Sequence, residues 1–156
     1  MKVFLDTNIL LDLLLEREEF EASAQILDIA NNGKFKLFVS ALTMVNVAYV
    51  YQKTVGRHIV IPNIKVLTSV MEVLPIDNGC IQKALYLEGN DYENVLQAVC
   101  AANAGCDCII TRNAKDYKIK PGLSNGLALP KVYTPAEFLI NNPVESYTPD
   151  YDKKRG

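Results

Sequence analysis

Apolar and polar residues alternate along this chain in blocks of two kinds, short dense runs and longer stretches with helical spacing. Residues 2–5, KVFL, form an apolar run of the kind a strand covered on both faces needs. The stretch 9–15 starts helical and breaks in the charged EREE. From Phe20 to Ala30, apolar Phe20, Ala24, Leu27 and Ala30 recur at helical spacing until NNGK supplies a glycine stop. FKLFVS reads as a second strand. Ser40 then stands where an N-cap belongs, before a long helix, ALTMVNVAYVYQKTVG, that Gly56 closes. RHIVIPNIKVLTSVME predicts a further helix with Pro62 at a break or early turn.

The second half continues the alternation. VLPI predicts a third strand, DNGCIQKALYLEG a helix capped by Asp77, and DYENVLQAVCAANAG a helix stopped by Gly105 that leads into CDCIIT, a fourth strand. Beyond a loop carrying RNAKDY and PGLSNG, a last strand near KVY precedes a short helix from Pro135. Strands separated by helices predict an α/β sandwich around a mainly parallel sheet. Such sheets place their sites beyond the carboxyl ends of the strands, near the switch in strand order. That rule gives meaning to FLDTN, where an apolar strand ends on Asp6.

Composition adds limits. A chain of 156 residues, 49% apolar and 22% charged, suits one soluble domain with its own core. The domain is expected over 1–141, with 142–156, rich in Pro and charge, as an extended or disordered tail. A formal net charge of −2 excludes coating nucleic acid by bulk charge, yet allows a cleft that carries its own divalent cations. No apolar run approaches membrane-spanning length, and no secretory signal precedes the first strand. Cys80, Cys100, Cys106 and Cys108 then read as buried reduced thiols in a cytoplasmic protein. Cys106 and Cys108 would share one face of a strand, too far apart along it for a disulfide.

Acids and amides gather at the ends of elements. Asp6, with Thr7 and Asn8, follows strand one; Asp91 and Asn94 open a helix on one face, with Glu93 turned away from Asp91; Arg112, Asn113 and Asp116 follow strand four. Neighbouring parallel strands would bring these groups to one cleft. Carboxylates gathered so repel one another unless a cation lies among them, and hard oxygen ligands suit Mg²⁺ or Mn²⁺ acting on phosphates. Each acid also has a plain role: Asp6 and Asp91 as helix caps, Asp116 as a solvated loop residue. Their conjunction at matching positions argues for a site. His58, the single histidine, leaves little for zinc or histidine chemistry. Tyr49 and Tyr51 read as packing residues of an amphipathic helix rather than base-stacking groups.

VFLDTNILLDLL, then DYENVLQAVCAANAGCDCIITRN with KDY, and finally VYTPAEFL resemble the PIN domain, the fold of VapC-type toxin nucleases and related ribonucleases. The resemblance runs from residue 2 to about residue 140. It implies a three-layer α/β/α sandwich, bound Mg²⁺ or Mn²⁺, and endonucleolytic cleavage of RNA by a metal-activated water. It also implies a homodimer held by an antitoxin protein. Carried over by position, Asp6 matches the first metal-binding acid, and Thr111 to Asn113 match a Thr-x-Asn/Asp segment with Asp116 just beyond. The implied catalytic residues are Asp6, Asp91, Asn94 and Asp116, and the implied metal ligands are Asp6, Asp91, Asn94, Asn113 and Asp116. Asn8, Thr111, Arg112, Asn113 and Lys115 would meet the RNA.

Two departures stand out. Asn46 is all that the helix after strand two offers where the family commonly has Glu, and Asn94 stands where a third acid is usual. With at most three carboxylates among Asp6, Asp91 and Asp116, a second metal should bind weakly or only with substrate phosphate present. The alternative is a PIN fold with cleavage largely lost, acting as an RNA- or protein-binding module.

Overall fold

The interior strand of a parallel sheet is covered on both faces, and β1 (Lys2–Leu5) meets that demand with Val3, Phe4 and Leu5 all at most 1% exposed. The computed structural model of the chain describes residues 1–120 and 127–143. After β1 come α1 (Thr7–Leu15), α2 (Phe20–Asn31), β2 (Lys36–Ser40), α3 (Ala41–Val55), α4 (Arg57–Val70) and β3 (Glu72–Leu74). The rest comprises α5 (Asn78–Leu85), β4 (Glu88–Gly89), α6 (Tyr92–Asn103), β5 (Cys108–Ile110), a 3-10 turn (Ala114–Tyr117), β6 (Ile119–Lys120), β7 (Lys131–Tyr133) and α7 (Pro135–Asn141).

β1 to β3, β5 and β7 form one parallel sheet in the order β3-β2-β1-β5-β7. Phe4 lies between Phe38 of β2 and Ile109 of β5. The chain builds outward from β1 to β3 on one side and then from β5 to β7 on the other. The switch therefore falls between β1 and β5, where Asp6 and Thr111 leave the sheet.

Side-chain alternation divides the core. Val3, Leu5, Val39 and Ile110 pack with Ile9, Ile26, Val47, Leu67 and Phe138 from α1 to α4 and α7. Phe4, Phe38 and Ile109 face the other way, against Ala98 and Ala101 of α6. α5 closes over the far side of α6 through Cys80 and Ala84 against Val95 and Val99. This is the α/β/α sandwich expected. α6 is buried at every position from Val95 to Ala101, as a helix held between a sheet and another helix must be.

Several local expectations need correction. The third strand, β3 at Glu72–Leu74, shares Val73 and Leu74 with the expected VLPI but starts one residue earlier and stops before Pro75. Pro62 sits inside an unbroken α4; the bond it forfeits is the one to the carbonyl four residues back, in the exposed first turn. α5 stops at Leu85, and the following residues form β4, which pairs antiparallel with β6 through Glu88–Lys120 and Gly89–Ile119. Gly89 has to be glycine, since a Cβ there would collide with Val95 of α6. All four cysteines are free and buried. Cys106 precedes β5, so strand alternation does not reach it, and it packs with Ile109 on the layer opposite Cys108. α7 ends at Asn141; the tail at 144–156 and PGLSNG at 121–126 lie outside the described residues. Among those described, no helix is long and apolar enough to cross a membrane.

Candidate active site

Asp6 leaves β1 and caps α1 in one step. Its Oδ1 accepts the backbone N–H of Thr7 at 2.8 Å, and its Oδ2 accepts the Thr111 hydroxyl at 2.8 Å. The helix-cap role is thus real and still leaves the carboxylate at the sheet's switch point. Asp91 does the same for α6, its Oδ1 accepting the N–H of Asn94 at 3.2 Å. Asp116 lies on the 3-10 turn after β5.

These three acids line one open cleft of about 370 Å³, together with Thr7, Asn8, Asn46, Tyr49, Glu93 and Asn94. Glu93 was expected to point away. The Asp91 backbone is extended (φ −136°, ψ 121°), so helical angular spacing begins only at Tyr92 and does not set the direction of Asp91 relative to Glu93. Asn46 Nδ2 donates to Glu93 Oε1 at 2.9 Å, fixing that carboxylate across from α3.

The electrostatics are those of crowded acids. Burial pushes the Asp6 carboxyl above its ordinary range, opposed by the hydrogen bonds from Thr111 and Thr7 and reinforced by the charge of Asp91. Glu93 is raised too, first by burial and then by Asp6 and Asp91, with the Asn46 bond acting the other way. The Tyr117 hydroxyl is buried near Asp6, yet no partner meets it at hydrogen-bonding geometry. Burial, then the Asp6 charge, holds it far above the usual phenol range.

This donor set fits a hard divalent cation. Asp6, Asp91, Glu93 and Asp116 offer carboxylate oxygens, Asn8, Asn46 and Asn94 offer amide oxygens, and a cation would offset the burial, and after it the mutual repulsion, that raise Asp6 and Glu93. Among the described residues, no three His, Cys, Asp or Glu side chains are grouped tightly enough to enclose an ion by themselves. Ion binding here calls for side-chain adjustment or for oxygens from substrate phosphate.

A buried polar chain supports the cleft from beneath. Ser40 Oγ donates to Gln97 Oε1 at 2.5 Å, Gln97 Nε2 donates to Thr43 Oγ1 at 2.8 Å, and Thr43 Oγ1 meets Thr7 Oγ1 at 3.2 Å. It ties α6, β2, α3 and α1 together and reaches Thr7, the residue after Asp6. The only sequence signal was a Gln inside the apolar run NVLQAVCAA, and it went unread. Ser40, Thr43 and Gln97 are fully buried, so Gln97→Leu is expected to cost about 1–2 kcal/mol by taking one partner from each hydroxyl, although the two still meet each other at 3.3 Å. Urea denaturation checks this; an unchanged midpoint would show the chain to be dispensable.

The residues expected to meet RNA divide. Asn8 lines the cleft. Thr111 is 1% exposed and holds Asp6, with its oxygen 3.3 Å from the N–H of Asn113, so it is a positioning residue with no surface for substrate. Arg112 is engaged by Asp12 of α1, Nη1 to Oδ1 at 3.2 Å, a pair that sequence reading missed altogether. Asn113 and Lys115 are exposed beyond the cleft wall, and Asn113 does not line it.

Comparison with known proteins agrees with this fold. The family model described as PIN domain matches residues 2–115. The chain is 31% identical over 122 residues to Ribonuclease VapC1 of Aquifex aeolicus (strain VF5), covering 74% of this chain and 84% of that protein. Among solved structures, VapBC2 from Rickettsia felis bound to a DNA fragment from their promoter superposes with a TM-score of 0.62 at 15% identity, over 86% of this chain and 98% of that one. A toxin-antitoxin complex from Klebsiella pneumoniae gives 0.61 at 21% identity, over 85% and 97%. At those identities the two structures speak for the fold.

Proposed function

The chain belongs to the PIN-domain family, and from that premise we propose that it is a Mg²⁺- or Mn²⁺-dependent endoribonuclease, the toxin of a toxin-antitoxin pair. One observation carries the reading: four carboxylates, Asp6, Asp91, Glu93 and Asp116, line a single cleft at the switch point of the sheet. The name of the Aquifex relative supports the activity, and the toxin-antitoxin and VapBC complexes support an antitoxin partner. The nuclease unit is taken as residues 1–141, working as a cytoplasmic homodimer.

Asp6, Asp91 and Asp116 would hold the ion, with Asn8 and Asn94 offering neutral oxygens beside them. When bound, a divalent ion there polarises the phosphoryl group and makes water more acidic. The chain supplies the rest. Thr111 keeps Asp6 Oδ2 oriented and favours its ionised form. The amino ends of α1 and α6 both open on the cleft, where their dipoles favour a phosphate. Glu93, fixed through Oε1 by Asn46, has a second oxygen to take the proton of the attacking water, and its raised pKa suits that transfer.

The test is calorimetric Mn²⁺ titration followed by cleavage of structured RNA in the same samples, on wild type and Asn94→Asp. Wild type is expected to bind weakly and to cut only with the metal. The added carboxylate should tighten binding about tenfold, since affinity follows the charge of the ligand set. A wild type that neither binds Mn²⁺ nor cuts would replace this reading with the binding module that lacks catalysis.

A further inference from the structure

We infer that Tyr49 and Lys53 of α3 form the substrate platform of the cleft, taking an unpaired nucleotide of a single-stranded RNA segment: the Tyr49 ring stacks on its base, and Lys53 meets the adjoining phosphate. The inference rests on the ribonuclease reading and assigns two residues of its substrate surface.

The two tyrosines of YVYQ, alike in sequence, part company in the fold. Tyr51 is 6% exposed, with its hydroxyl 3.3 Å from Asn63 Nδ2, and is a packing residue as expected. Tyr49 is 62% exposed and lines the acidic cleft on the same wall as Asn46 and Val50. Core packing does not account for a ring so open to water. An aromatic face beside a phosphate-handling site is the surface on which unstacked bases bind, with little regard to sequence because every base has a π-face. Paired bases, already stacked on their neighbours, do not offer that face.

Charge points the same way. The ionisable residues lining the cleft, Asp6, Asp91, Glu93 and Asp116, are all acidic and repel a polyanion. Arg112 is held by Asp12, and Lys115, although next to Asp116 in the chain, does not line the cleft. Lys53 stands one helical turn from Tyr49, its Nζ 4.1 Å from the ring centroid. Lys53 is exposed and outside the cleft lining, so it would attract phosphate to the ring from beside the acids. The ammonium lies over one face of the ring, so the base would take the opposite face, and a pair assembled before binding lowers the ordering cost.

The test measures binding apart from cutting, by fluorescence anisotropy of a labelled unpaired RNA with Ca²⁺ in place of Mn²⁺. The proteins are wild type, Tyr49→Phe, Tyr49→Ala and Lys53→Gln; the competitors are the same RNA with abasic sites and its duplex. Tyr49→Ala should weaken binding about tenfold and Tyr49→Phe less than about twofold. On abasic RNA, Tyr49→Ala should bind like wild type. Lys53→Gln should weaken all sequences alike and reduce the salt dependence by about one phosphate contact. Unchanged binding by Tyr49→Ala, an equal loss on abasic RNA, or a preference for duplex overturns the inference. Mn²⁺-dependent cutting that ignores Tyr49 would remove the platform and leave the nuclease. Tyr49-dependent binding by a wild type that never cuts would do the reverse, and a wild type that binds no RNA would remove both.

Discussion

Asp6→Asn is expected to lower metal-dependent RNA cleavage by about a hundredfold to a thousandfold, the range for losing one preorganised charge at a reacting centre, while the metal-free protein melts no lower than wild type. Most substitutions of buried polar residues cost stability, but Asp6 is 6% exposed and its pKa is raised by burial. With the folded-state value above the unfolded one, the stability linked to this group is present in full below the ordinary carboxylate range. It is lost as pH rises through the raised value. Asparagine resembles the protonated acid, so the two proteins should melt alike near about pH 4 and diverge in favour of the mutant toward about pH 8. Mn²⁺ should then stabilise wild type at the higher pH and leave Asp6→Asn unmoved. Thermal melts across that range, with chelator and with Mn²⁺, decide the matter. A mutant that cuts at the wild-type rate would sink the assignment of Asp6, and one that is less stable at every pH would sink the electrostatic account.

Arg112→Leu should have the largest effect on stability, about 2–3 kcal/mol at neutral pH, and only an indirect one on RNA. Asp12 is wholly covered, its Oδ1 bonded to Arg112 and its Oδ2 without a partner, although it lies close below the surface. Removing Arg112 strands that carboxylate, which ordinarily costs more than the intact pair contributes. The lower end of the usual range applies because Arg112 is 30% exposed and Asp12 can take up a proton. Desolvation already raises Asp12 and Arg112 pulls it back, so the mutant acid rises further. The penalty should therefore be small where Asp12 is protonated in both states, and should grow as pH climbs through the raised value. Asp12→Leu with Arg112→Leu should recover most of the loss, since an apolar pair needs no solvation. Urea midpoints near about pH 4 and about pH 8 give the comparison. A loss equal at both, or weaker RNA binding with no loss at all, would return Arg112 to a substrate role. The pair fastens α1 to the turn after β5, the two segments that carry Asp6 and Asp116, so a drop in activity should accompany the drop in stability.

Much of this site could be read along the chain because it stands on helix and strand ends. Asp6 and Asp91 are N-caps as well as cleft acids, and both roles require a short side chain at the first turn of a helix. Thr111 and Arg112 were placed in the right segment with the wrong task. Their position follows from the end of β5, but their tasks follow from Asp6 and Asp12, about a hundred residues earlier in the chain. Glu93 was misdirected because helical spacing was counted from a residue that is not yet helical. The β4–β6 ribbon left no pattern at all, since a two-residue strand has no period to detect.

The sequence by itself determined the layer order, the central place of β1 and the exit of Asp6 at the carboxyl edge. KVFL is apolar throughout its interior, and only an inner strand of a parallel sheet is covered on both faces. Tertiary structure alone decided which acids meet, that Arg112 answers Asp12, and that Tyr49 faces the cleft while Tyr51 is buried. Those outcomes depend on which distant segment arrives beside each side chain, and neither periodicity nor capping chemistry carries that information.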